Sequence, residues 1–220
     1  MKIRELFEEN IPTYRGDIEV PENWRDLSKL PEKYPGYTPG CKLIGNFSCS
    51  GCTSLTSLEG SPSSVTGFFS CAGCTSLTSL EGSPNTVDGD FRGHSCKSIT
   101  SLKGAPSSVG GIFSCGHNSS LISLEGAPNS VGSHFSCYGC TSLTSLKGAP
   151  NSVGDDFSCN MCPSLRKSIL SVLRIKNVKR ISIDNEQVQD IINKHLARDR
   201  DMLDCQEDLI DAGLQEYARL

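Results

Sequence analysis

Apolar residues recur along the middle of the chain with a fixed step. Phe47, Phe69, Phe91, Phe113, Phe135 and Phe157 lie 22 residues apart, and Leu55, Leu77, Ile99, Leu121, Leu143 and Leu165 keep the same interval. Leu58, Leu80, Leu102, Leu124 and Leu146 form a third column. Pro62, Pro84, Pro106, Pro128 and Pro150 form a fourth, and Val65, Val87, Val109, Val131 and Val153 a fifth. Written from the phenylalanine, the unit reads F-S-C-x-x-C-x-S-L-x-S-L-x-G-x-P-x-x-V-x-x-x. Five full units and the start of a sixth span residues 47–165. Such self-similarity predicts a solenoid, in which each coil buries its apolar positions against the next.

Within a unit, Phe-x-Cys alternates, so both side chains face one way, as on a short strand. The next apolar residues come at intervals of three, so the chain turns. Gly60-x-Pro62 and its repeats oppose a regular helix on the return side, and the residue before each proline is pushed towards extended geometry. The expected coil is one short strand plus an irregular, extended or 3-10 return, with parallel strands about 4.8 Å apart.

A solenoid exposes apolar coil surfaces at its ends, so residues 1–42 are expected to form an N-terminal cap, 43–165 the solenoid, and 166–220 a mostly helical C-terminal cap. Residues 1–9 read as a short helix, and Trp24, Leu27 and Leu30 as cover for the first coil. Residues 168–173 read as a last helical turn, and 180–183 alternate like an edge strand. Asp184 is the expected N-cap of a helix running to Leu196. A second helix, from about 200 to 212, should stop at Gly213.

Composition narrows the class. The 220 residues are 36% apolar and carry 12 Cys, 21 Gly and 11 Pro. No apolar run approaches the roughly 18–20 residues of a membrane span. The charged start MKIRELFEEN has no secretory h-region, so a reducing, cytoplasmic setting is the expectation. A net charge of −4 argues against a nucleic-acid partner.

The pattern F-x-C-x-x-C-x-x-L-x-x-L-x-G-x-P resembles the leucine-rich repeat, L-x-x-L-x-L-x-x-N/C-x-L. The wording G-C-T-S-L-T-S-L-E-G-x-P-x-x-V-x-x-x-F-x-C is similar to leucine-rich repeat proteins of bacteriophages and bacteria, which often end like residues 205–214, CQEDLIDAGL. The resemblance covers residues 43–165 strongly and the tail weakly. The chain departs from the standard pattern by placing Phe in the strand and one extra residue between the recurring positions. The resemblance implies a leucine-rich-repeat-like curved parallel β-sheet and a non-catalytic protein-binding module. For a phage protein it implies an intracellular inhibitor of a host protein, such as one of defence, acting in the host cytoplasm.

Four units carry C-x-x-C: Cys49/Cys52, Cys71/Cys74, Cys137/Cys140 and Cys159/Cys162. Two such pairs would ordinarily signal zinc. The third unit, however, has Gly93 at the first position, and the fourth has Asn118 at the second. A zinc site does not accept these in place of a thiolate. Cys and Asn are the two residues that leucine-rich repeats use to satisfy backbone groups in the turn after the strand, so the cysteines read as buried structural thiols, with no metal or cofactor expected. Cys205 reads as a packed helix residue.

Strand alternation places three residues of each unit outward: those before and after Phe, and the one after the first Cys. The inward frame barely varies between units and the outward set varies greatly. The candidate partner-binding residues are therefore Phe68, Asp90, Arg92, His94, Ile112, His134, Tyr138 and Asp156, with large side chains of the kind that dominate interfaces. No phosphate loop, His/Glu metal motif or nucleophile elbow is present, so no enzyme is expected. Two other readings are a small-molecule or nucleotide trap using Arg92, His94 and His134, and a structural or assembly role in a virus particle. The basic run Arg166, Lys167, Arg174, Lys176, Lys179 and Arg180 reads mainly as a solvated face.

Overall fold

The computed structural model describes residues 11–198 and 200–219. Each repeat forms two strands. One sheet holds the valine strands of the repeats, preceded by two strands of other sequence: β1 (Thr13–Arg15), β3 (Lys42–Ile44), β5 (Ser64–Val65), β7 (Thr86–Val87), β9 (Ser108–Val109), β11 (Ser130–Val131) and β13 (Ser152–Val153). The other holds the phenylalanine strands, with an isoleucine strand at each end: β2 (Ile18–Glu19), β4 (Phe47–Ser48), β6 (Phe69–Ser70), β8 (Phe91–Arg92), β10 (Phe113–Ser114), β12 (Phe135–Ser136), β14 (Asp156–Ser158) and β15 (Arg180–Ser182). All pairings are parallel and in repeat register, Phe113 opposite Phe135 and Val131 opposite Val153. The fold is a parallel β-solenoid.

The valine strand corrects the expected single strand with an irregular return. A two-residue strand is too short to show alternation, and its pairing comes from the neighbouring coils: Asp88 N–H donates to Val65 O at 2.9 Å, and Gly110 N–H to Val87 O at 2.9 Å. After the leucine columns the chain reverses through a left-handed glycine. At Gly82 (φ +86°) a Cβ would lie 2.5 Å from the Leu58 carbonyl carbon, so both conformation and space require glycine. The phenylalanine rings stack in one continuous column, with centroids 5.0 to 5.4 Å apart from Phe47 to Phe157.

Both sheets extend beyond residues 43–165. Strands β1 and β2 precede the first repeat, and β15 follows the last. Leu27 and Leu30 are fully buried and Trp24 partly so, with Leu30 opening a short helix, α1 (Leu30–Lys33). The helix expected at 1–9 lies outside the described residues.

At the C-terminal end, a 3-10 helix (Pro163–Arg174) buries Leu165, Ile169, Leu170, Val172 and Leu173, and so is longer than the single turn expected at 168–173. Helix α2 (Glu186–Leu196) follows β15, and α3 (Met202–Asp211) ends before Gly213, which is left-handed at φ 76°. The N-cap of α2 is Asn185, whose side chain accepts the Val188 N–H at 3.0 Å. Asp184, the expected cap, instead uses both carboxylate oxygens to accept the Met161 N–H at 2.8 Å.

The outer edges of the phenylalanine sheet are bonded rather than bare. Asn193 of α2 accepts the Ile181 N–H at 2.7 Å and donates to the Ile181 carbonyl at 3.1 Å. At the opposite end the Tyr34 hydroxyl accepts from Glu19 N–H at 2.8 Å and donates to Glu19 O at 2.6 Å. An open edge would present unpaired donors and acceptors to other chains. Among the described residues, no helix is long and apolar enough to cross a membrane.

Candidate functional site

The cysteines are free and buried. In the second column each thiol donates to the carbonyl one coil back: Cys74 to Cys49 at 3.0 Å, Cys96 to Cys71 at 3.1 Å, Cys140 to Cys115 at 3.2 Å and Cys162 to Cys137 at 3.2 Å. Asn118 does the same chemistry with its amide, donating to Gly93 O at 3.0 Å. Its Oδ1 also accepts the Cys96 N–H at 2.7 Å. The two interruptions of the C-x-x-C array are thus one feature, because Asn118 bonds both backbone groups that flank the turn after Gly93. Hydrogen bonding between thiols, then burial, pushes Cys49, Cys71, Cys115 and Cys137 well above the ordinary thiol range. These four are neutral thiols, poor nucleophiles and poor metal ligands, while the same thiol–thiol hydrogen bonds shift their partners Cys96 and Cys140 downward.

The remaining chemistry gathers on the outer face of the phenylalanine sheet, where parallel register sets equivalent positions of successive coils side by side. Phe68 is half-buried, and the Arg92 guanidinium of the next coil lies over its ring, 4.8 Å from the centroid. Arg92 also pairs with Asp90 at 3.0 Å. Asp90 Oδ1 accepts the Ile112 N–H at 2.9 Å, and this bond, more than Arg92, holds its carboxyl below the usual carboxylate range. Asn46 bonds Phe68 N–H in the same way, at 2.9 Å. Several outward polar residues therefore also tie one coil to the next. Ile112 and His94 are half-buried, and His94 Nδ1 lies 3.3 Å from Ser95 Oγ. Burial, then His117 and Arg92, depresses the His94 pKa.

Farther along, Tyr138 is 37% exposed, meets His117 edge-to-face at 5.1 Å and donates to Met161 Sδ at 2.8 Å. His134 Nδ1 lies 3.4 Å from Asp156 N–H, and its Nε2 3.5 Å from Asp155. Asp155 pairs with Lys179 at 3.3 Å and Asp156 with Arg180 at 2.6 Å. Among the described residues, His134, Asp155 and Asp156 are the one group of three such side chains close enough to share a metal ion. Two cations already neutralise those carboxylates, which makes the cluster an ion-pair network rather than a site poised for a divalent cation.

Not every outward position is open. Ser70 is only 4% exposed and shares a 2.6 Å hydroxyl contact with Ser50, and Gly116 is covered by Tyr138. Residues that strand alternation does not single out also reach this face: His117, Asp155, Lys179 and Arg180. The signal for His117 lies in the repeat itself. Gly51, Gly73 and Gly139 are left-handed at one repeat position, and Ser95, His117 and Met161 adopt the same conformation in the intervening coils and the last. Within the basic run, Lys179 and Arg180 pair with acids on the preceding coil, while the side chains of Arg166 and Lys167 lie outside the described set.

A cavity of about 290 Å³ lies where the last coil meets the C-terminal helices, lined by Cys159, Cys162, Leu165, Ile169, Ile183 and Tyr217 among others. It is separate from the strand-borne face. The chain matches no protein-family model, no curated protein and no solved structure.

Proposed function

We propose that this chain is a non-catalytic, protein-binding solenoid of leucine-rich-repeat type, whose recognition surface is the outer face of the phenylalanine sheet. The observation that carries this reading is the contrast between two sets of positions on the same strands. Inward, every repeat presents the same Phe and leucine frame. Outward, the equivalent positions hold Asn46, Phe68, Asp90, Ile112, His134 and Asp156. Packing confines the inward set to one residue type and leaves the outward set open to residues suited to a partner, although Asn46, Asp90 and His134 also bond the next coil.

The short strands present these side chains on a backbone already ordered by both neighbours, so little entropy is lost on binding. The helical segments beyond residue 163 serve in this reading as an end cap. The resemblance to phage and bacterial repeat proteins favours a host protein as partner, met in the host cytoplasm.

The test is affinity capture from a bacterial host followed by binding to the identified protein. Phe68→Ala or Tyr138→Ala should weaken that binding by about 1–3 kcal/mol while leaving the melting temperature nearly unchanged. Wild-type affinity in both variants, with loss on substitution in the C-terminal helices, would move the site off the sheet.

A further inference from the structure

The third and fourth coils differ from their neighbours in charge. The phenylalanine sheet begins among acids: Asp17, Glu19 and Glu22 flank or lie on the coil of β2. It ends in acids already paired with Lys179 and Arg180. Between them, the third coil carries Arg92, His94 and Lys97, and the fourth carries His117. The local acid, Asp90, is committed to Arg92 and to Ile112 N–H. A donor-rich patch of one guanidinium, 46% exposed and paired with Asp90, and two imidazoles thus sits at the centre of a face on a chain whose net charge is −4.

Two of the three coils with a left-handed non-glycine at this repeat position are the third and fourth. His117, with φ 57°, occupies the left-handed position filled by glycine at 51, 73 and 139 and by Ser95 and Met161 in the third and last coils. A side chain there is disfavoured, and such strain persists where the surrounding structure holds it. The imidazole rests over Gly139, where an added Cβ would come within 2.8 Å of Nδ1, so that glycine leaves the ring its place. Arg92 is positioned by Asp90 and the Phe68 ring, yet its side chain remains 46% exposed. Tyr138 flanks His117 on the far side at 5.1 Å.

From this arrangement we propose that the third and fourth coils form a docking site for an acidic peptide segment of the partner, its carboxylates met by Arg92, His94 and His117 and its apolar or aromatic side chains by Phe68 and Tyr138. This rests on the reading of the sheet face as the recognition surface and names the chemistry of what it takes. These two coils offer hydrogen-bond donors to a carboxylate, whereas a basic segment would find only Asp90, already held by Arg92 and the Ile112 N–H.

A pH dependence follows. The charged groups facing His94 are Arg92 on its own coil, with Asp90 behind it, and His117 on the next; the preceding coil presents Ala72 and Gly73, which carry no charge. The depressed pKa of His94 keeps it largely neutral near pH 7. An incoming carboxylate favours the charged imidazole, so binding takes up protons and tightens as pH falls from about 8 to about 6.

The experiment is selection of a displayed random-peptide library against the intact chain, followed by titration of the selected peptides. The variants are Arg92→Ala, His117→Gly, Phe68→Ala and Tyr138→Ala. His117→Gly installs the repeat's own residue, relieves the strained backbone and should hold or raise the melting temperature. The expected result is a set of Asp/Glu-rich peptides that bind at least about tenfold more weakly to Arg92→Ala, lose affinity with His117→Gly, and bind tighter at pH 6 than at pH 8. Peptides that depend on Phe68 and Tyr138 but show no acidic excess would overturn the acidic-segment proposal and leave the sheet-face reading standing. Peptides indifferent to all four substitutions would overturn both. Failure of acidic sequences to enrich, with the fold intact by melting, overturns the proposal as well.

Discussion

Asn118 offers a quantitative test of how the coils are held together. Its side chain is fully buried and makes two hydrogen bonds, to Gly93 O at 3.0 Å and from Cys96 N–H at 2.7 Å. Asn118→Ala leaves both backbone groups buried and unpaired, at about 1–3 kcal/mol each, so the expected loss is about 2–6 kcal/mol. Asn118→Cys restores only the bond to the carbonyl, since a thiol placed like Cys140 donates one coil back. It should therefore cost about 1–3 kcal/mol for the remaining N–H. In other coils that N–H is bonded within the turn, as from Cys74 to Cys71 O at 3.2 Å. Gly93→Cys alone meets the Phe91 ring, 2.9 Å from the added Cβ. The double substitution Gly93→Cys with Asn118→Cys rebuilds the common unit on both coils and should be less destabilising than the two single costs summed, by about 1 kcal/mol or more. Equilibrium urea unfolding of the four proteins measures this cycle. Additive costs, or an Asn118→Ala loss below about 1 kcal/mol at unchanged m-value, would refute the idea that these two positions act as one unit.

Other consequences can be measured on the same protein. Phe113 is fully buried between Phe91 and Phe135, at 5.1 and 5.3 Å, so Phe113→Ala should cost about 3–5 kcal/mol in urea unfolding. Deleting residues 184–220 removes Asn193 and Gln189 from the edge of β15 and should produce aggregation, visible by light scattering; a monomer with an unchanged melt would show that these helices do not protect the edge. Asp90 and Asp208 are held below the ordinary 3.8, by the Ile112 N–H and by Lys194 respectively. A depressed folded-state pKa contributes stability that is present above the unfolded value and lost as pH falls through the folded one. Melting temperature should therefore drop below about pH 4, and Asp90→Asn, which keeps the Oδ1 acceptor, should flatten part of that drop. The thiols of Cys49, Cys71, Cys115 and Cys137 should label with iodoacetamide only at the rate of unfolding, and fast native-state labelling would contradict their burial and raised pKa.

The solenoid was legible because its cause repeats. Each Phe must stack on the next, so one choice of residue is written six times in the chain, and the 22-residue step is plain without any structure. The valine strand was not legible, because a two-residue strand has no alternation and its partners lie a full repeat away. The C-terminal helices followed from apolar spacing and Gly213, but the N-cap did not. Asp184 and Asn185 are both good caps, and only the placement of Met161 N–H one coil back decides that Asp184 is used elsewhere. The extension of both sheets to β1 and β2 was hidden because residues 13–19 carry Tyr14 and Ile18 where the repeat has its usual leucine or valine and its phenylalanine.

The face poses a different problem, and its partial legibility has a physical reason. Alternation locates outward positions but cannot tell a side chain that is free from one that is needed by the next coil. Asn46, Asp90 and His134 stand in one column, and each places an acceptor against the N–H of the following coil. Phe68 and Ile112, in the same column, have no such acceptor to offer. The variable column is therefore divided: its polar members hold the stack together, and its apolar members do not contribute to that ladder. At Phe68 the lost backbone bond is partly offset by the Arg92 guanidinium over its ring, and both Phe68 and Ile112 remain half-buried. In the proposed reading a partner covers what the scaffold leaves exposed of both, with Arg92 beside Phe68 and Asp90 beside Ile112 at the margin of the contact.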